Sequence, residues 1–453
     1  MMHCTISDLC RAVGGTLVQA GADSFSGVTT DSRKPAEGQL FIPLVGERFD
    51  GHAYIDMALE KGAAGCLCAK VPETLQPGKF YVQVADTKLA LRALSAWYRG
   101  LFDIPVVQVT GSAGKTTTKQ MIAAVLSEHF STLKTLGNLN NEIGTPLTLL
   151  NLEQHHEAAV IETGIDTYGD LRYLGMAVRP TVAVVTNIGD AHIENMDNSR
   201  LGVLKAKSEI FEDLQPGGLA VLCGDDELLN TLDLPFRTLR CGESEGCDVR
   251  VTDIVERGMD GIDCTVTTQK KSYRLSIPSP GRYMIYPASM ATAIAESLGM
   301  SEAEIVAGVA NYQTTGSRMR RVKLSENRLL VDDCYNANPQ AMLSALRILS
   351  SSEAAHKLAI LGDMGELGEV SASAHRATGE LAAQLQLDAV VAIGPKSFDI
   401  AIGGGSVVRH FLTIEEAMPA IHALFVPGTT VMLKASHSMG FEKIAKELEE
   451  TYQ

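Results

Sequence analysis

The sequence predicts an α/β chain in three successive parts, the middle one built around a phosphate loop and the last one Rossmann-like. Three observations carry this. Short apolar runs bounded by turn residues, the pattern of buried parallel strands, alternate with helix-length amphipathic stretches along most of the chain. A strand, a glycine-rich loop and a helix follow one another between Ile104 and His129. A chain of 453 residues also exceeds what one hydrophobic core sustains, so two or three domains are expected.

The first part, residues 1–98, ends in an apolar-periodic helix, Leu89 to Tyr98, closed by Gly100. The second, 99–315, opens on the strand Ile104–Val109 and a helix from Lys115 to about His129. Strands Ala158–Ile161 and Val182–Val185 follow, and a mostly parallel sheet is expected. Residues 219–280 contain short alternating segments such as Tyr273–Ile277, which predict a small antiparallel excursion before a helix from Ala288 to Leu298. The third part, 316–453, carries strands Leu329–Val331, Leu358–Leu361, Ala389–Ile393 and Thr430–Leu433, separated by helices such as Ser371–Leu385. That is a second open α/β sheet.

Composition narrows the function classes. The formal net charge of −15 argues against nucleic acid or an anionic membrane as partner. It permits an anionic substrate, because a few lysines and backbone amides in a cleft bind phosphate on an acidic protein. Residues 1–18 carry Asp8 and Arg11 among their apolar positions and do not read as a signal peptide. No stretch approaches the ~20 apolar residues of a membrane helix, so a cytoplasmic protein is expected. Nine cysteines are scattered from Cys4 to Cys334, and only Cys66 and Cys68 lie close together. They read as free thiols of a reducing compartment.

The strongest motif is Thr110-Gly111-Ser112-Ala113-Gly114-Lys115-Thr116-Thr117-Thr118. Its setting between an apolar strand and a helix is that of a P-loop. Glycines let successive N–H groups curl around a phosphate, and the helix start adds its dipole. Lys115 reaches the β- and γ-phosphates of ATP, and the Thr116 hydroxyl suits Mg²⁺. Val109 stands where the longer Walker pattern has its first glycine, so this is the shorter T-G-x-x-G-K-T form.

Acidic and basic residues cluster at later strand ends. Glu162 closes the strand Ala158–Ile161, where open α/β sheets bind ligands, and a carboxylate there is a hard ligand for Mg²⁺. Taken alone it reads as a solvated strand-end glutamate. The next strand ends in Thr186-Asn187-Ile188-Gly189-Asp190-Ala191-His192, which places His192 at the same edge. Lys205-Ala206-Lys207-Ser208-Glu209-Ile210-Phe211 follows as an amphipathic helical stretch, whose lysines taken singly are solvated.

In this order T-G-S-A-G-K-T-T-T, I-E-T-G, T-N-I-G-D-A-H-I-E and K-A-K-S-E-I-F resemble the Mur ligases. The resemblance implies an ATP-dependent ligase joining a carboxylate to an amine through an acyl-phosphate, in peptidoglycan precursor synthesis. It implies that Thr110 to Thr117 bind ATP, that Lys115, Glu162, His192 and Lys207 are catalytic, and that Thr116, Glu162, His192 and a carbamylated Lys207 serve Mg²⁺.

Three further segments are similar to the branch that adds D-alanyl-D-alanine to UDP-N-acetylmuramoyl-tripeptide. The first, Leu136 to Leu147, contains Asn138, Asn140 and Asn141, whose amides suit the nucleotide-sugar peptide; it reads equally as a polar loop capping the next helix. The second comprises Val331-Asp332-Asp333-Cys334-Tyr335-Asn336-Ala337-Asn338-Pro339 and Leu361-Gly362-Asp363-Met364-Gly365-Glu366-Leu367-Gly368. Both follow strands. The resemblance assigns Arg318, Asp333, Tyr335 and Asn336 to ATP, and Asp363, Glu366 and Leu367 to the incoming dipeptide. Lys434-Ala435-Ser436-His437-Ser438-Met439 is similar to the branch's final motif. The third is Asp31-Ser32-Arg33 with Gly46-Glu47-Arg48-Phe49-Asp50-Gly51-His52, similar to the family's N-terminal UDP-binding domain. Ser32, Arg33, Arg48 and Asp50 are the substrate-binding candidates there, and Arg33 and Arg48 read equally well as surface residues. By family habit the protein is a monomer.

Two segments depart from the family pattern. Tyr283-Met284-Ile285-Tyr286-Pro287-Ala288 stands where H-N-x-x-N-A is usual, so the asparagine that commonly meets adenine is absent. Stacking or backbone contacts are then expected to recognise the base. Glu162-Thr163-Gly164 replaces the commoner E-M-G. The rival readings are a sister ligase or folylpolyglutamate-type synthetase with another amine acceptor, and a nucleotide-binding paralogue without turnover.

Overall fold

The structure is a computed structural model, and it describes residues 4–46, 49–365 and 367–453. The chain forms two compact units. One holds residues up to Val251 together with Val266–Tyr273 and Tyr286–Gly308; the other holds Thr252–Thr265, Arg274–Ile285 and Val309–Gln453.

Besides the short antiparallel pair of Cys4–Thr5 with Ser24–Phe25, the first unit contains two sheets. The smaller has the order Thr16–Gln19, Phe80–Gln83, Gly65–Cys68, Leu40–Phe41, Val28–Thr29. Its first pair is antiparallel and the rest are parallel. The larger centres on Val106–Thr110, flanked in parallel by Ala158–Glu162 and Val182–Val185. Thr132–Lys134 lies beyond the former and Leu219–Cys223 beyond the latter, both parallel. Every residue of the three central strands is buried, as a parallel sheet covered on both faces requires. One continuous apolar core joins Leu91, Leu94 and Tyr98 of the helix Thr87–Arg99 to Leu149, Ile161 and Val178.

The expected α/β class holds, with one correction of topology. The antiparallel excursion expected from residue 219 does not begin there. Leu219–Cys223, Arg237–Gly242 and the start of Val249–Glu256 pair in parallel. Arg237–Gly242 is exposed at one end and buried at the other, so its polar residues imitate the alternation of a one-sided antiparallel strand. The helix expected from Ala288 starts earlier, at Ile285, and holds Pro287 in its first turn, where a missing N–H costs nothing.

The second unit has a six-stranded sheet ordered Arg320–Leu324, Arg328–Asp332, Thr429–Lys434, His356–Gly362, Ala389–Ile393, Val408–Phe411. The first pair is antiparallel and all others are parallel. Apolar clusters fill both faces of the sheet. All nine cysteines are free. No helix among the described residues is long and apolar enough to cross a membrane.

In this unit the helices Ser371–Gln384 and Phe398–Gly404 touch backbone to backbone through glycine. A Cβ on Gly379 would stand 2.0 Å from the Ile400 carbonyl oxygen and 2.6 Å from Gly404 N. Both are main-chain atoms, so relief requires the helices to separate. Gly379→Ala is therefore expected to cost about 1–3 kcal/mol. Thermal denaturation checks this, and an unchanged melting temperature contradicts it.

Candidate active site

The loop after Val106–Thr110 is fixed before any ligand arrives. Glu162 is opposite Val109 and Val185 is opposite Thr110, so three strands deliver their carboxyl ends to one edge. Gly111 has φ 149°, and a Cβ there would lie 1.8 Å from Thr186 Oγ1. Gly114 (φ 79°) begins the helix Lys115–Leu126. The segment after the neighbouring strand laces the loop down. Asn187 accepts from Ser112 N through its carbonyl (3.1 Å) and from Ala113 N through its side chain (2.9 Å). Thr186 Oγ1 donates to the Ala113 carbonyl at 2.6 Å, and Gly189 N donates to Ser112 Oγ at 2.8 Å. Thr110 Oγ1 donates to the Thr163 carbonyl at 3.0 Å. The Lys115 ammonium lies back along the loop, 2.7 Å from the Gly111 carbonyl oxygen.

Glu162 is not a solvated strand-end residue; it is 2% exposed. Its Oε1 accepts from Thr116 Oγ1 at 3.0 Å and from Asn140 Nδ2 at 2.9 Å. Its Oε2 faces the Lys119 ammonium at 3.1 Å, and that lysine is fully buried. A buried carboxylate requires such compensation. Lys119 escaped the sequence reading, although its spacing of four from Lys115 places it one helical turn on.

Lys207 is the second reversal. Its helix, Arg200–Ser208, leaves Lys205 exposed but buries Lys207 to 1% exposure. Burial pushes its ammonium down to about 7, and the charge of Lys115 pushes the same way; Asp166 opposes them. Asp166 Oδ1 is also 3.4 Å from His192 Nδ1. Thr116 and Glu162 thus meet beside Lys115, Lys207 feels the charges of Lys115 and Asp166, and His192 meets Asp166. Among the described residues no three His, Cys, Asp or Glu side chains form a ready metal cage. Mg²⁺ takes one or two carboxylates and otherwise keeps water and substrate phosphates. The hydroxyl of Thr116 against the carboxylate of Glu162 is such a hard-oxygen pair.

Other candidates fall elsewhere. Asn141 accepts from Ile143 N (3.2 Å) and Gly144 N (2.8 Å) at the start of the helix Gly144–Leu149, the capping role left open by the sequence. Asn138 is exposed and Thr117 half-buried. Near the N-terminus, exposed Arg33 pairs with Asp31 at 2.8 Å and Ser32 is half-buried between them. Asp50 accepts from His52 N (3.0 Å) and its carboxylate is 2.7 Å from His52 Nδ1. Arg48 and Glu366 lie outside the described residues. The Tyr286 hydroxyl hydrogen-bonds Asp225, whose carboxylate also accepts from Glu243 N (2.8 Å) and Ser244 N (3.0 Å).

The second unit gathers its own set. Asp333 Oδ2 accepts from Lys434 Nζ at 2.6 Å, and Oδ1 accepts from Met319 N at 3.1 Å. Lys434, buried, also donates to the Asn336 carbonyl at 3.1 Å. Arg318 stacks over the Tyr335 ring at 3.9 Å, and that ring lies 5.7 Å from the His437 ring. Asp363 turns inward: its Oδ1 accepts from Ser397 N at 2.7 Å. Leu367 packs against the core.

A laced phosphate loop with a buried carboxylate and a buried lysine beside it, on a parallel sheet, defines an α/β enzyme of the nucleotide-binding class. Family profiles agree. Those described as "Mur ligase family, catalytic domain", "Mur ligase middle domain" and "Mur ligase, glutamate ligase domain" match residues 24–99, 109–295 and 317–437. The UDP-N-acetylmuramoyl-tripeptide--D-alanyl-D-alanine ligase of Escherichia coli (strain K12) is 36% identical over 99% of each chain. Its namesake from Bacillus subtilis (strain 168) is 33% identical over 100% of this chain and 99% of its own. A crystal structure of MurF from Acinetobacter baumannii superposes with TM-score 0.90, at 31% identity over 99% of both chains. The MurF ligase from Thermotoga maritima in complex with ADP gives 0.83 at 27% identity, over 94% of this chain and 97% of that one. The chain belongs to the Mur ligase family.

Burial of Lys207 has a consequence for stability. The unfolded chain holds that proton up to about 10.5 and the folded chain only to about 7. Between these values the unfolded state binds more protons, so the contribution to stability rises with pH; the full cost of the buried ammonium is felt below pH 7. Lys207→Met removes that cost. The variant is expected to gain several degrees of melting temperature over the parent at pH 6 and less at pH 9. A gain that is equal at both values, or larger at pH 9, contradicts this.

Proposed function

We propose that this protein is the ATP-dependent ligase that joins D-alanyl-D-alanine to UDP-N-acetylmuramoyl-tripeptide, giving ADP and phosphate, in peptidoglycan precursor synthesis. The single observation that carries the chemistry is the Thr116–Glu162 contact beside Lys115 and Lys207. The terminal carboxylate of the tripeptide attacks the γ-phosphorus of ATP, ADP leaves, and an acyl-phosphate forms. Two anions approach each other, so the site must supply positive charge. Lys115 and the amides at the start of the helix Lys115–Leu126 supply it from this chain. Thr116 and Glu162, with His192 nearby and Lys207 if carbamylated, are the residues that would hold Mg²⁺, which when bound neutralises phosphate charge. A lysine held near 7 is neutral often enough to take up CO₂, the condition for a carbamate.

The amine of D-alanyl-D-alanine then attacks the activated carbonyl and phosphate leaves. Its α-amino pKa of ~8 makes the neutral form accessible near neutrality. Exclusion of water protects the acyl-phosphate. In this reading residues 1–98 take the UDP-sugar, 99–315 take ATP, and 316–453 take the dipeptide. Support for that division comes from the three family profiles, which fall one within each part bar a single residue. Ser32, Arg33, Arg48, Asp50 and Asn138 serve the nucleotide-sugar; Arg318, Asp333, Tyr335 and Asn336 serve ATP; Asp363, Glu366 and Leu367 serve the dipeptide. Asn140 acts at one remove, by holding Glu162. The protein works as a cytoplasmic monomer without nucleic acid or membrane, in keeping with its net charge of −15.

Phosphate release from ATP with purified UDP-N-acetylmuramoyl-tripeptide tests this across candidate amines. Release is expected with D-alanyl-D-alanine and not with L-amino acids; the opposite pattern removes the assignment. ATP binding with no turnover on any amine favours the non-catalytic reading. Lys115→Ala is expected to lower kcat by about a thousandfold or more, and retained turnover contradicts the role given to Lys115.

A further inference from the structure

The segment that follows the strand His356–Gly362 is held by side-chain and backbone groups from three other places. Met364 N donates to His375 Nε2 at 2.9 Å, and Gly365 N donates to Ser436 Oγ at 2.8 Å. The Asp363 carboxylate accepts from Ser397 N at 2.7 Å, and the Asp363 carbonyl accepts from Ser436 N at 3.2 Å. His375 stands apart from the others because its chemistry is fully determined by its neighbours. It is 0% exposed, on the first turns of the helix Ser371–Gln384. Its Nδ1 lies 2.7 Å from the Ser371 carbonyl oxygen. A carbonyl oxygen only accepts, so Nδ1 carries the hydrogen; a backbone N–H only donates, so Nε2 presents its lone pair. The ring is neutral, in one tautomer, and ties the start of the helix to the loop.

We propose that His375 is a positioning residue for the amine acceptor: it fixes the loop over residues 363–365 at the place where the dipeptide is bound. This rests on the reading of that loop as the D-alanyl-D-alanine segment. His375 touches no reacting atom itself. Met364 is fully buried, so its N–H has no water to turn to when the ring is removed. An unpaired buried donor is costly enough to displace the loop. A displacement of ~1 Å at a substrate-binding segment weakens binding and alignment steeply. No linear pattern points to this role, since His375 lies eleven residues beyond Met364 and outside the motif it serves.

The test compares His375→Asn and His375→Gln in the full chain, with KM and kcat measured for each of the three substrates. Asparagine places its amide near Nδ1, keeps a donor for Ser371 and leaves Met364 N unpaired. Glutamine places a carbonyl oxygen near Nε2 and accepts from Met364 N. His375→Asn is expected to raise KM for D-alanyl-D-alanine about tenfold, with KM for ATP and for the UDP-tripeptide changed by less than about twofold. His375→Gln is expected to recover most of that loss. An unmoved dipeptide KM in the Asn variant, an equal rise for all three substrates, or no recovery with Gln overturns the proposal. If neither variant folds, nitrogen NMR of the unaltered chain decides: a hydrogen on Nδ1 is expected, and one on Nε2 overturns it. Failure of the unaltered chain to use the dipeptide removes the functional reading and this inference with it. Dipeptide turnover with an unmoved KM in the Asn variant removes the inference alone.

Discussion

A buried carboxylate organises the catalytic edge of this protein. Glu162 has left water, and every contact around it answers that cost: the Thr116 hydroxyl and the Asn140 amide on one oxygen, the Lys119 ammonium by the other. Two separate segments are thereby tied to the end of one strand. The helix after the phosphate loop contributes Thr116 and Lys119, and the loop before Gly144 contributes Asn140. Removing one partner leaves charge or a donor buried without compensation, which is why such a cluster stays in one arrangement. The same cluster presents a hydroxyl and a carboxylate side by side at the start of the helix after the phosphate loop.

Lys207 obeys the opposite logic. Glu162 is ringed by compensating partners, whereas Lys207 is driven toward its neutral form by burial and by the like charge of Lys115. Two ionisable groups with opposed environments beside one loop mark a functional site more firmly than either alone. Asp166, whose charge opposes that shift, also meets His192, and so links residues that follow the two strands flanking Val106–Thr110.

The second unit repeats the principle with different residues. The carboxyl ends of Arg328–Asp332, Thr429–Lys434 and His356–Gly362 lie side by side, and Lys434 bonds Asp333 across two of them. Each loop that the resemblance assigns to a substrate is anchored by a side chain from the neighbouring strand end or helix: Lys434 for the Asp333–Asn336 loop, Ser436 and His375 for the loop after Gly362. The residues so assigned are thereby placed on loops while rigid elements set their positions.

By itself the sequence determined the α/β class, the phosphate loop and the family, because those depend on local signals. Apolar runs such as Val182–Val185 are buried on both faces whatever surrounds them, and Gly111 to Thr117 must be contiguous to wrap a phosphate. Tertiary structure decided the rest. Lys119 and Lys207 look like ordinary helical lysines until packing covers them, and their pairing with Glu162 or with the field of Lys115 joins residues 43 and 92 positions apart, by difference of their numbers. The parallel run of Arg237–Gly242 could not be told from a one-sided antiparallel strand, since its polar end lies exposed in either case. Burial and partnership are properties of the packed chain, and a linear pattern carries them only where the neighbours in space are also neighbours in sequence.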